Sequence, residues 1–268
     1  MLAAVIVIAV LVSGIVIYGV FIEPYNIHVN RVILKNSNLK QGESLTVLHL
    51  SDLHLRRYGR REVRLTELLS SINPDLILIS GDFIEDIENP NRYKKLFDNF
   101  NSKFGVFGVL GNNDYGLNKN TKRVKKIQNF LERMRVEILR NSSIMVGNGF
   151  RIIGLDDPHK GYDNLSLSFN EVEESDRLRI VIAHSPETLD FILSRRPDLV
   201  LTGHTHGGQI SFPLIGPVFL NIKKGFRIKT GLNYFNNIPV YQSSGIGITM
   251  LPVRLNCKPE ITLITLEN

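Results

Sequence analysis

An uninterrupted apolar segment opens the chain. Residues 1–22 contain no charged side chain, and Tyr18 and Tyr25 lie near the end of this segment. A helix of this length extends roughly 33 Å, which matches the hydrocarbon core of a bilayer at about 30 Å. Because the segment is apolar on every face, it indicates a transmembrane helix rather than a buried core helix. A cleaved signal peptide is the alternative, but neither a basic region nor a small-residue cleavage site before Glu23 supports it.

After residues 23–45, which form a connector with an edge strand, apolar runs alternate with segments of helical periodicity. The predicted strands are Val47 to Leu50, Leu76 to Ile79, Val106 to Leu110, Ile152 to Leu155, Ile180 to Ala183, Leu199 to Leu201, Val240 to Gln242 and Ile261 to Leu266. The predicted helices are Glu62 to Ile72, Tyr93 to Phe100, Thr121 to Arg135 and Pro186 to Arg195. The alternation is typical of an α/β fold, and residues 46–268 are predicted to form one domain.

Composition narrows the class of protein. The chain has 268 residues and is 43% hydrophobic, which is enough to fill a substantial core. Its single cysteine, Cys257, cannot form an internal disulfide. The formal net charge of +6 favours anionic partners such as phosphates or acidic lipids. Nucleic acid is not expected, because the basic groups lack the interleaved aromatic residues of a strand-binding track.

Five of the predicted strands are followed by residues that commonly bind metal ions. These residues are Asp52 and His54, Asp82 after Gly81, Asn112 after Gly111, His184, and His204 and His206 after Gly203. Open α/β sheets place ligands at the carboxyl ends of their strands, so these side chains are predicted to meet at one edge. Mixed carboxylate, amide and imidazole donors suit Mn²⁺, Fe or Zn²⁺ better than Ca²⁺ or a thiolate-bound structural zinc.

In this order the motifs resemble those of the calcineurin-like metallophosphoesterase family, from about Thr46 to the C-terminus. The string from Thr202 to Gln209 resembles a membrane-associated branch of that family. This branch includes bacterial phosphodiesterases and the LpxG-type pyrophosphatase of lipid A biosynthesis, which hydrolyses UDP-2,3-diacylglucosamine. The resemblance implies a four-layer αββα sandwich, here preceded by one transmembrane helix.

The resemblance also implies two divalent metal ions, with Mn²⁺ expected and Zn²⁺ or Fe as alternatives. The first ion would be held by Asp52, His54, Asp82 and His206, and the second by Asp82, Asn112, His184 and His204. Asp82 would then bridge the two sites. In such a centre, two cations polarise the phosphoryl oxygens and provide a nucleophilic water at neutral pH.

One motif departs from the family pattern. The family usually reads Gly-Asn-His-Asp where this chain has Asn113 in place of the histidine. An amide donates a hydrogen bond but cannot serve as a general acid near neutral pH. Asn113 is therefore predicted to contact the substrate and, with Asp82, to act in catalysis on a diphosphate or an activated diester. Asp114 is predicted either to orient a ligand or to cap the following turn.

Two further features concern the substrate. Arg57, which follows His54 closely, is predicted to grip a substrate phosphate. Residues 209–220 are strongly apolar and are followed by Lys223, Lys224, Arg227 and Lys229. This segment is predicted to line a groove for acyl chains or to enter the membrane interface, and a β-hairpin with one buried face is the alternative.

The preferred function is hydrolysis of UDP-2,3-diacylglucosamine to UMP and lipid X at the inner membrane. The alternative is a general phosphodiesterase of the cell envelope that acts on small phosphorylated substrates. Arg31, Lys35 and Lys40 follow the apolar segment, so the positive-inside rule predicts a single-pass protein with a cytoplasmic catalytic domain. A scaffold protein without activity is disfavoured because every metal-ligand position is filled. No oligomeric state is indicated.

Overall fold

The computed structural model of the protein describes residues 1–116, 120–218 and 228–268. Its strands are β1 (His28–Lys35), β2 (Ser44–Leu50), β3 (Leu76–Ile79), β4 (Val106–Gly108), β5 (Val136–Ile138), β6 (Ser142–Val146), β7 (Phe150–Leu155), β8 (Leu178–Ala183), β9 (Leu199–Thr202), β10 (Ser211–Phe212), β11 (Gly216–Pro217), β12 (Gly231–Phe235), β13 (Ile238–Gln242) and β14 (Glu260–Glu267). Its helices are α1 (Leu2–Phe21), α2 (Arg60–Ser70), α3 (Lys94–Phe97), α4 (Asn112–Tyr115), α5 (Thr121–Arg133), α6 (Leu165–Ser168) and α7 (Leu189–Leu193).

Two six-stranded sheets form the centre of the protein. The first has the order β1-β14-β2-β3-β4-β5, and the second has the order β12-β13-β9-β8-β7-β6. Strands β2 to β5 are parallel to one another, as are β7, β8, β9 and β13. Parallel strands are usually covered on both faces, which explains why the central strands are continuous apolar runs. Their carboxyl ends lie at the same edge of each sheet.

The two sheets pack face to face, and helices cover their outer faces. In β3, Leu76 and Leu78 pack between the sheets, whereas Ile77 and Ile79 pack against α2, α3 and α5. This division follows from the alternation of side chains along a strand. Strand β8 alternates in the same way, with its outer face against α6 and α7. The predicted four-layer αββα sandwich is therefore confirmed.

Two of the predicted helices are shorter than expected. The segments predicted at residues 93–100 and 186–195 contain only α3 and α7, each preceded by a 3₁₀ turn. Near the end of α3, Asn99 Nδ2 donates to Lys95 O at 2.8 Å, and after α7, Ser194 Oγ donates to Phe191 O at 2.6 Å. Side chains that bond the backbone in this way compete with continuation of the helix.

Helix α1 is long and apolar enough to span a membrane, as its sequence predicts. It is exposed along its length except near its C-terminal end, where Gly19 is buried. Gly19 O accepts a hydrogen bond from Arg254 N at 2.9 Å, and Phe21 O accepts one from Arg60 Nη1 at 3.4 Å. Arg254 and Arg60 belong to segments that follow β13 and β2, so α1 meets the domain near the carboxyl ends of these strands.

Gly154 on β7 packs closely against Leu139, in the segment that connects β5 of the first sheet to β6 of the second. A Cβ atom at this position would lie 2.3 Å from Leu139 Cβ and 2.7 Å from Leu139 O. We expect Gly154→Ala to lower the free energy of unfolding by about 1–3 kcal/mol, because the sheets must move apart. Urea denaturation of the detergent-solubilised protein, followed by circular dichroism, measures this loss. Gly14→Ala, which meets nothing within 4 Å, is the control, and equal stability of the two variants would contradict the packing argument.

Candidate metal centre

The loops after β2 and β3 extend the pairing of these strands beyond their carboxyl ends. Asp52 N donates to Gly81 O at 3.0 Å, and His54 N donates to Asp82 O at 3.0 Å. The backbone therefore brings Asp52, His54 and Asp82 side by side. His204 N joins them by donating to Asp52 Oδ2 at 3.0 Å. Hydrogen bonds of the backbone at the sheet edge therefore bring together the predicted site residues, which are far apart in the chain.

Five of the seven predicted ligands have a left-handed backbone. Their φ angles are 52° for Asp52, 44° for His54, 54° for Asp82, 72° for His204 and 51° for His206. Such a backbone is uncommon for residues other than glycine and costs of the order of 1–3 kcal/mol where the residue is strained. Conformations of this kind cluster at functional sites, where the surrounding structure holds them.

The first cluster of donors surrounds His54. His54 Nε2 lies 3.0 Å from His206 Nε2 and 3.4 Å from Asp82 Oδ2. His206 Nε2 lies 3.4 Å from Asp52 Oδ1. All four side chains are buried. The structure therefore brings together the four residues predicted to hold the first ion.

The second cluster surrounds His184. His184 Nε2 lies 3.1 Å from Asn112 Oδ1, 3.0 Å from His204 Nδ1 and 3.4 Å from Asp82 Oδ2. The same Asp82 oxygen is thus 3.4 Å from a histidine of each cluster. Asp82 lies where a bridging ligand must lie, because a single carboxylate oxygen faces both groups of donors.

These distances fit metal ions. Two donors that each lie about 2.1 Å from one ion are separated by about 3.0 Å at a right angle and about 3.4 Å at a tetrahedral angle. In the described part of the chain, every ion pair of Asp52 and Asp82 is with a histidine. Buried carboxylates require compensating positive charge, which bound cations supply when the imidazoles are neutral. The donor set therefore fits divalent ions, and the assignment of the seven individual ligands stays a prediction that the geometry supports.

Hydrogen bonds on the far side of the imidazole rings orient them. His54 Nδ1 donates to Glu85 Oε1 at 2.8 Å, and His184 Nδ1 donates to Ser80 O at 2.8 Å. A proton on Nδ1 leaves the Nε2 lone pair free to bind a metal ion. Glu85 is itself paired with Arg56.

A buried hydrogen-bond chain supports Asp52. Ser51 Oγ donates to Asp52 Oδ2 at 2.5 Å, Ser80 Oγ donates to Ser51 Oγ at 2.8 Å, and His49 Nε2 lies 2.9 Å from Ser80 Oγ. Burial lowers the pKa of His49 to about 3, so its ring is neutral. The sequence analysis missed this chain, although a serine precedes each of the carboxylates Asp52 and Asp82 by one or two residues.

The charges of the site suit metal binding. Burial by itself would raise the pKa of Asp82, but the imidazoles of His184 and His54 and a hydrogen bond from Asn113 lower this pKa to about 2. Burial lowers the pKa of His206 well below its ordinary value, and nearby positive charge lowers it further. Burial by itself would lower the pKa of His184, but the carboxylates of Asp82, Asp52 and Asp157 raise this pKa to about 9. An ionised carboxylate and a neutral imidazole are the forms that bind metal ions, so the His184 ring must lose its proton when an ion binds.

Arg254, which the sequence analysis did not select, is fully buried behind His206. Its Nη2 donates to the carbonyl oxygens of Ser244, Gly245 and Gly247 at 2.9, 3.0 and 2.6 Å and lies 3.4 Å from His206 Nδ1. A Cβ atom at Gly245 would lie 2.8 Å from Asp52 Cβ. Arg254 therefore holds a loop that packs directly against a predicted ligand.

The predicted catalytic amide lies at the mouth of the site. Asn113 N donates to Asp82 Oδ1 at 2.8 Å, and Asn113 Nδ2 donates to Asp82 Oδ2 at 2.6 Å.

Two roles are predicted for the neighbouring Asp114, to orient a ligand or to cap a turn, and its contacts are those of a cap. Asp114 Oδ2 accepts a hydrogen bond from Gly111 N at 3.0 Å at the start of α4, and Oδ1 accepts one from Phe83 N at 2.9 Å. Burial raises the pKa of Asp114 to about 7.

The predicted phosphate contact Arg57 is exposed at the surface. Its neighbour Arg56 is exposed as well, and it lines a cavity of about 450 Å³ that Asn113 also borders. The two arginines follow the same ligand, and only the course of the loop after His54 distinguishes them. Arg57 as a substrate contact stays a prediction, and Arg56 is better placed for that role.

The loop after β7 adds residues that the sequence analysis missed. The His159 ring lies 4.2 Å from the His204 ring, centroid to centroid, and His159 Nε2 lies 3.1 Å from Ser185 Oγ. Asp157 is buried, and burial raises its pKa to about 6. Asp156 and Asp157 directly follow an apolar strand, which is the pattern that identified the other site residues.

A cavity of about 400 Å³ opens above the candidate metal-binding side chains. Asp82, Asn113, His204 and His206 line its polar part, whereas Ile210, Val218, Met250 and Leu251 line its apolar part. The predicted hairpin is present as β10 and β11, but neither of its faces is buried. Residues 219 and 220 and Lys223, Lys224 and Arg227 lie outside the described residues.

Two packed sheets with parallel centres, and carboxylate, amide and imidazole donors at their carboxyl edge, define a metal-dependent hydrolase of the α/β sandwich class. The family described as Calcineurin-like phosphoesterase matches residues 45–208. The chain belongs to this family of metal-dependent phosphoesterases.

Individual relatives extend the comparison over most of the chain. The metallophosphoesterase YkuE of Bacillus subtilis is 30% identical over 265 residues, which cover 94% of this chain and 89% of the relative. Phosphodiesterase YaeI of Escherichia coli is 28% identical over 227 residues, which cover 82% of this chain and 81% of the relative. The structure of Haemophilus influenzae NAD nucleotidase covers 76% of this chain and 46% of its own, with a TM-score of 0.50 and 15% identity, and shows the shared fold.

Replacing Asp82 by alanine removes the oxygen that lies between the two clusters. We expect bound Mn²⁺ to fall from about two ions per chain to one or fewer, because both clusters lose a donor. Elemental analysis by mass spectrometry after Mn²⁺ loading and desalting measures the metal content. Asp163→Ala, which removes an exposed carboxylate of the same domain, should retain the full content. An unchanged metal content in Asp82→Ala would contradict the bridging position.

Proposed function

We propose that the protein is a membrane-anchored phosphoesterase that hydrolyses a diphosphate or an activated phosphodiester with two divalent metal ions. The observation that carries this proposal is the position of Asp82 Oδ2, 3.4 Å from a histidine of each cluster. When bound, two such ions neutralise phosphoryl oxygens and provide a nucleophilic water at neutral pH. The chain therefore needs no nucleophilic side chain of its own.

The residues around the cavity have separate roles in this proposal. Asp52, Asp82 and the imidazoles would fix the ions, and the hydrogen bonds of Glu85 and Ser80 would keep the rings in their orientation. Asn113 Nδ2 carries two hydrogens and donates one of them to Asp82. Because Asn113 also lines the cavity, its second hydrogen is available to a phosphoryl oxygen of the substrate.

The chemistry of Asn113 favours a leaving group that does not need a proton. A phosphate or a nitrophenolate leaves as a stable anion, whereas an alkoxide needs a general acid, which an amide cannot be. A diphosphate or an activated diester therefore suits the site better than an alkyl phosphomonoester does.

UDP-2,3-diacylglucosamine is the most concrete substrate that we propose within this class. Cleavage of its diphosphate releases UMP, so the leaving group is a phosphate. The polar part of the cavity would receive the diphosphate, and the apolar part near Ile210 and Met250 would receive an acyl chain. We place the catalytic domain in the cytoplasm at the inner membrane, following the basic residues after α1.

A general phosphodiesterase of the cell envelope is the second candidate. It is favoured by the similarity to a protein named phosphodiesterase YaeI. Its substrates would be small diesters that occupy only the polar part of the cavity. A catalytic domain on the outer side of the membrane would favour this candidate over the first.

The two candidates differ in substrate preference. With Mn²⁺, we expect UMP release from UDP-2,3-diacylglucosamine to exceed hydrolysis of bis-p-nitrophenyl phosphate, and p-nitrophenyl phosphate to be the poorest substrate, because only the lipid substrate fills both parts of the cavity. Chromatographic detection of UMP and absorbance of nitrophenolate measure the rates, with Asp82→Ala as the blank. Cleavage of the synthetic diester without UMP release would exclude the lipid substrate and leave the second candidate.

Restoring the histidine of the family tests the role of Asn113. We expect Asn113→His to raise the rate on glycerophosphocholine, which has an alkyl leaving group, by about 10²-fold relative to bis-p-nitrophenyl phosphate, because imidazole can protonate the alkoxide. Steady-state rates on both substrates measure this ratio. Asn113→Gln keeps an amide and should leave the ratio unchanged. An equal change of the ratio in both variants would show that leaving-group protonation is not what this position controls.

A further inference from the structure

Outside the N-terminal apolar segment, exposed apolar side chains are concentrated on two segments beside the cavity. Phe212, Leu214 and Ile215 belong to the β10–β11 hairpin, and Met250 and Leu251 belong to the segment after β13. Ile215 is 81% exposed and Met250 is 90% exposed. Single exposed apolar residues are common in soluble proteins, but a grouped set of them marks an interaction surface.

The two segments form one surface, which we call the apolar lip. Gln209 Nε2 donates to Thr249 O at 2.8 Å, and Thr249 N donates to Gln209 Oε1 at 2.7 Å. Ser211 N donates to Leu255 O at 2.9 Å. These bonds fix the base of the hairpin to the second segment. The lip therefore borders the mouth of the cavity that contains the metal-binding side chains.

The apolar lip is joined to the end of α1. Arg254 N bonds Gly19 O at 2.9 Å, and a Cβ atom at Gly19 would lie 3.1 Å from Val253 Cγ2. Leu251 precedes Arg254 by three residues, which span at most about 10 Å. Gly19 still belongs to the apolar stretch, which ends at Ile22. The lip therefore lies near the level of the last turn of α1.

Charged and aromatic groups mark the same level. Arg60 Nη1 donates to Phe21 O at 3.4 Å, and the Arg60 guanidinium lies 4.9 Å from the centre of the Tyr25 ring. Tyrosine and arginine are typical of the boundary between hydrocarbon and headgroups. A helix that ends at this boundary holds the neighbouring lip against the same bilayer surface.

We propose that the apolar lip enters the interfacial layer of the membrane that α1 spans, so that the cavity opens towards the leaflet. What the insertion means for the substrate rests on the function proposed above. A phosphorylated lipid can then place its headgroup over Asp82 and Asn113 while its acyl chains pass along Val218, Met250 and Leu251. The substrate does not have to leave the bilayer before hydrolysis.

A lipid bilayer is the partner that fits the apolar lip best, because the lip is continuous with α1. The lip is attached to an apolar helix whose own surface is exposed from Leu2 onward. Any membrane that accepts α1 is therefore at the lip already, and no second partner must be recruited. A protein partner would cover the same residues without inserting them among acyl chains, and this difference can be measured.

The absence of tryptophan from the chain permits a direct test. We would place single tryptophans by Leu214→Trp and Met250→Trp in the full-length protein, reconstituted in vesicles of phosphatidylcholine and phosphatidylglycerol. We expect brominated acyl chains to quench each fluorophore about twofold or more, because interfacial insertion reaches about 5–10 Å below the headgroups. Met145→Trp on the edge strand β6, also exposed, is the control and should not be quenched. Equal quenching at all three positions, or at none, would overturn the proposal.

A second measurement connects insertion to the reaction. Leu214→Glu and Ile215→Glu change the tip of the hairpin and not the lining of the cavity. We expect hydrolysis of vesicle-borne UDP-2,3-diacylglucosamine to fall about tenfold, while hydrolysis of soluble bis-p-nitrophenyl phosphate stays unchanged. No loss, or an equal loss on both substrates, would overturn the lip as the substrate entrance. If the unmodified protein hydrolyses neither compound, the proposed function fails, and the fluorescence result alone decides the insertion of the lip.

Discussion

Two carboxylates, Asp52 and Asp82, are buried side by side among four imidazole rings, and in the described part of the chain their ion pairs are with histidine. Buried negative charge has to be compensated, and the donor atoms surround positions where cations fit. Much of the surrounding structure serves this arrangement. The serine chain to Asp52 and the Glu85 bond to His54 fix ligands that are held in left-handed backbone conformations.

Close packing of backbone against these ligands explains the motif glycines. A Cβ atom at Gly111 would lie 2.2 Å from Asp82 Oδ1, and one at Gly203 would lie 1.8 Å from Ser51 Oγ. Arg254 extends the same support outward, since its side chain holds the loop against Asp52 and its backbone receives α1. Helix α1 and the candidate metal centre are therefore neighbours in one continuous structure.

The order of apolar runs was sufficient to predict the class of fold. Strand β3 is apolar at every position, and β8 is apolar at every position except Arg179, because both faces of these strands are covered, and this property is visible in the sequence. Strands β5, β6 and β12 were not predicted, because they lie at or near sheet edges and carry polar residues on their open sides. The lengths of helices α3 and α7 were overestimated. Local hydrogen bonds from side chains to the backbone end these helices early, but they do not alter the apolar periodicity of the sequence.

For the site, the sequence determined which residue types end the strands, and so it predicted Asp82, the six donors around it and the amide at Asn113. It also determined the apolar character of α1. Only the tertiary structure decided that Asp82 Oδ2 faces both clusters, that Arg56 rather than Arg57 lies near Asn113, and that His159 packs on His204. The physical reason is that a strand end specifies a place in the sheet, whereas the direction of each side chain depends on loops and packing from distant parts of the chain.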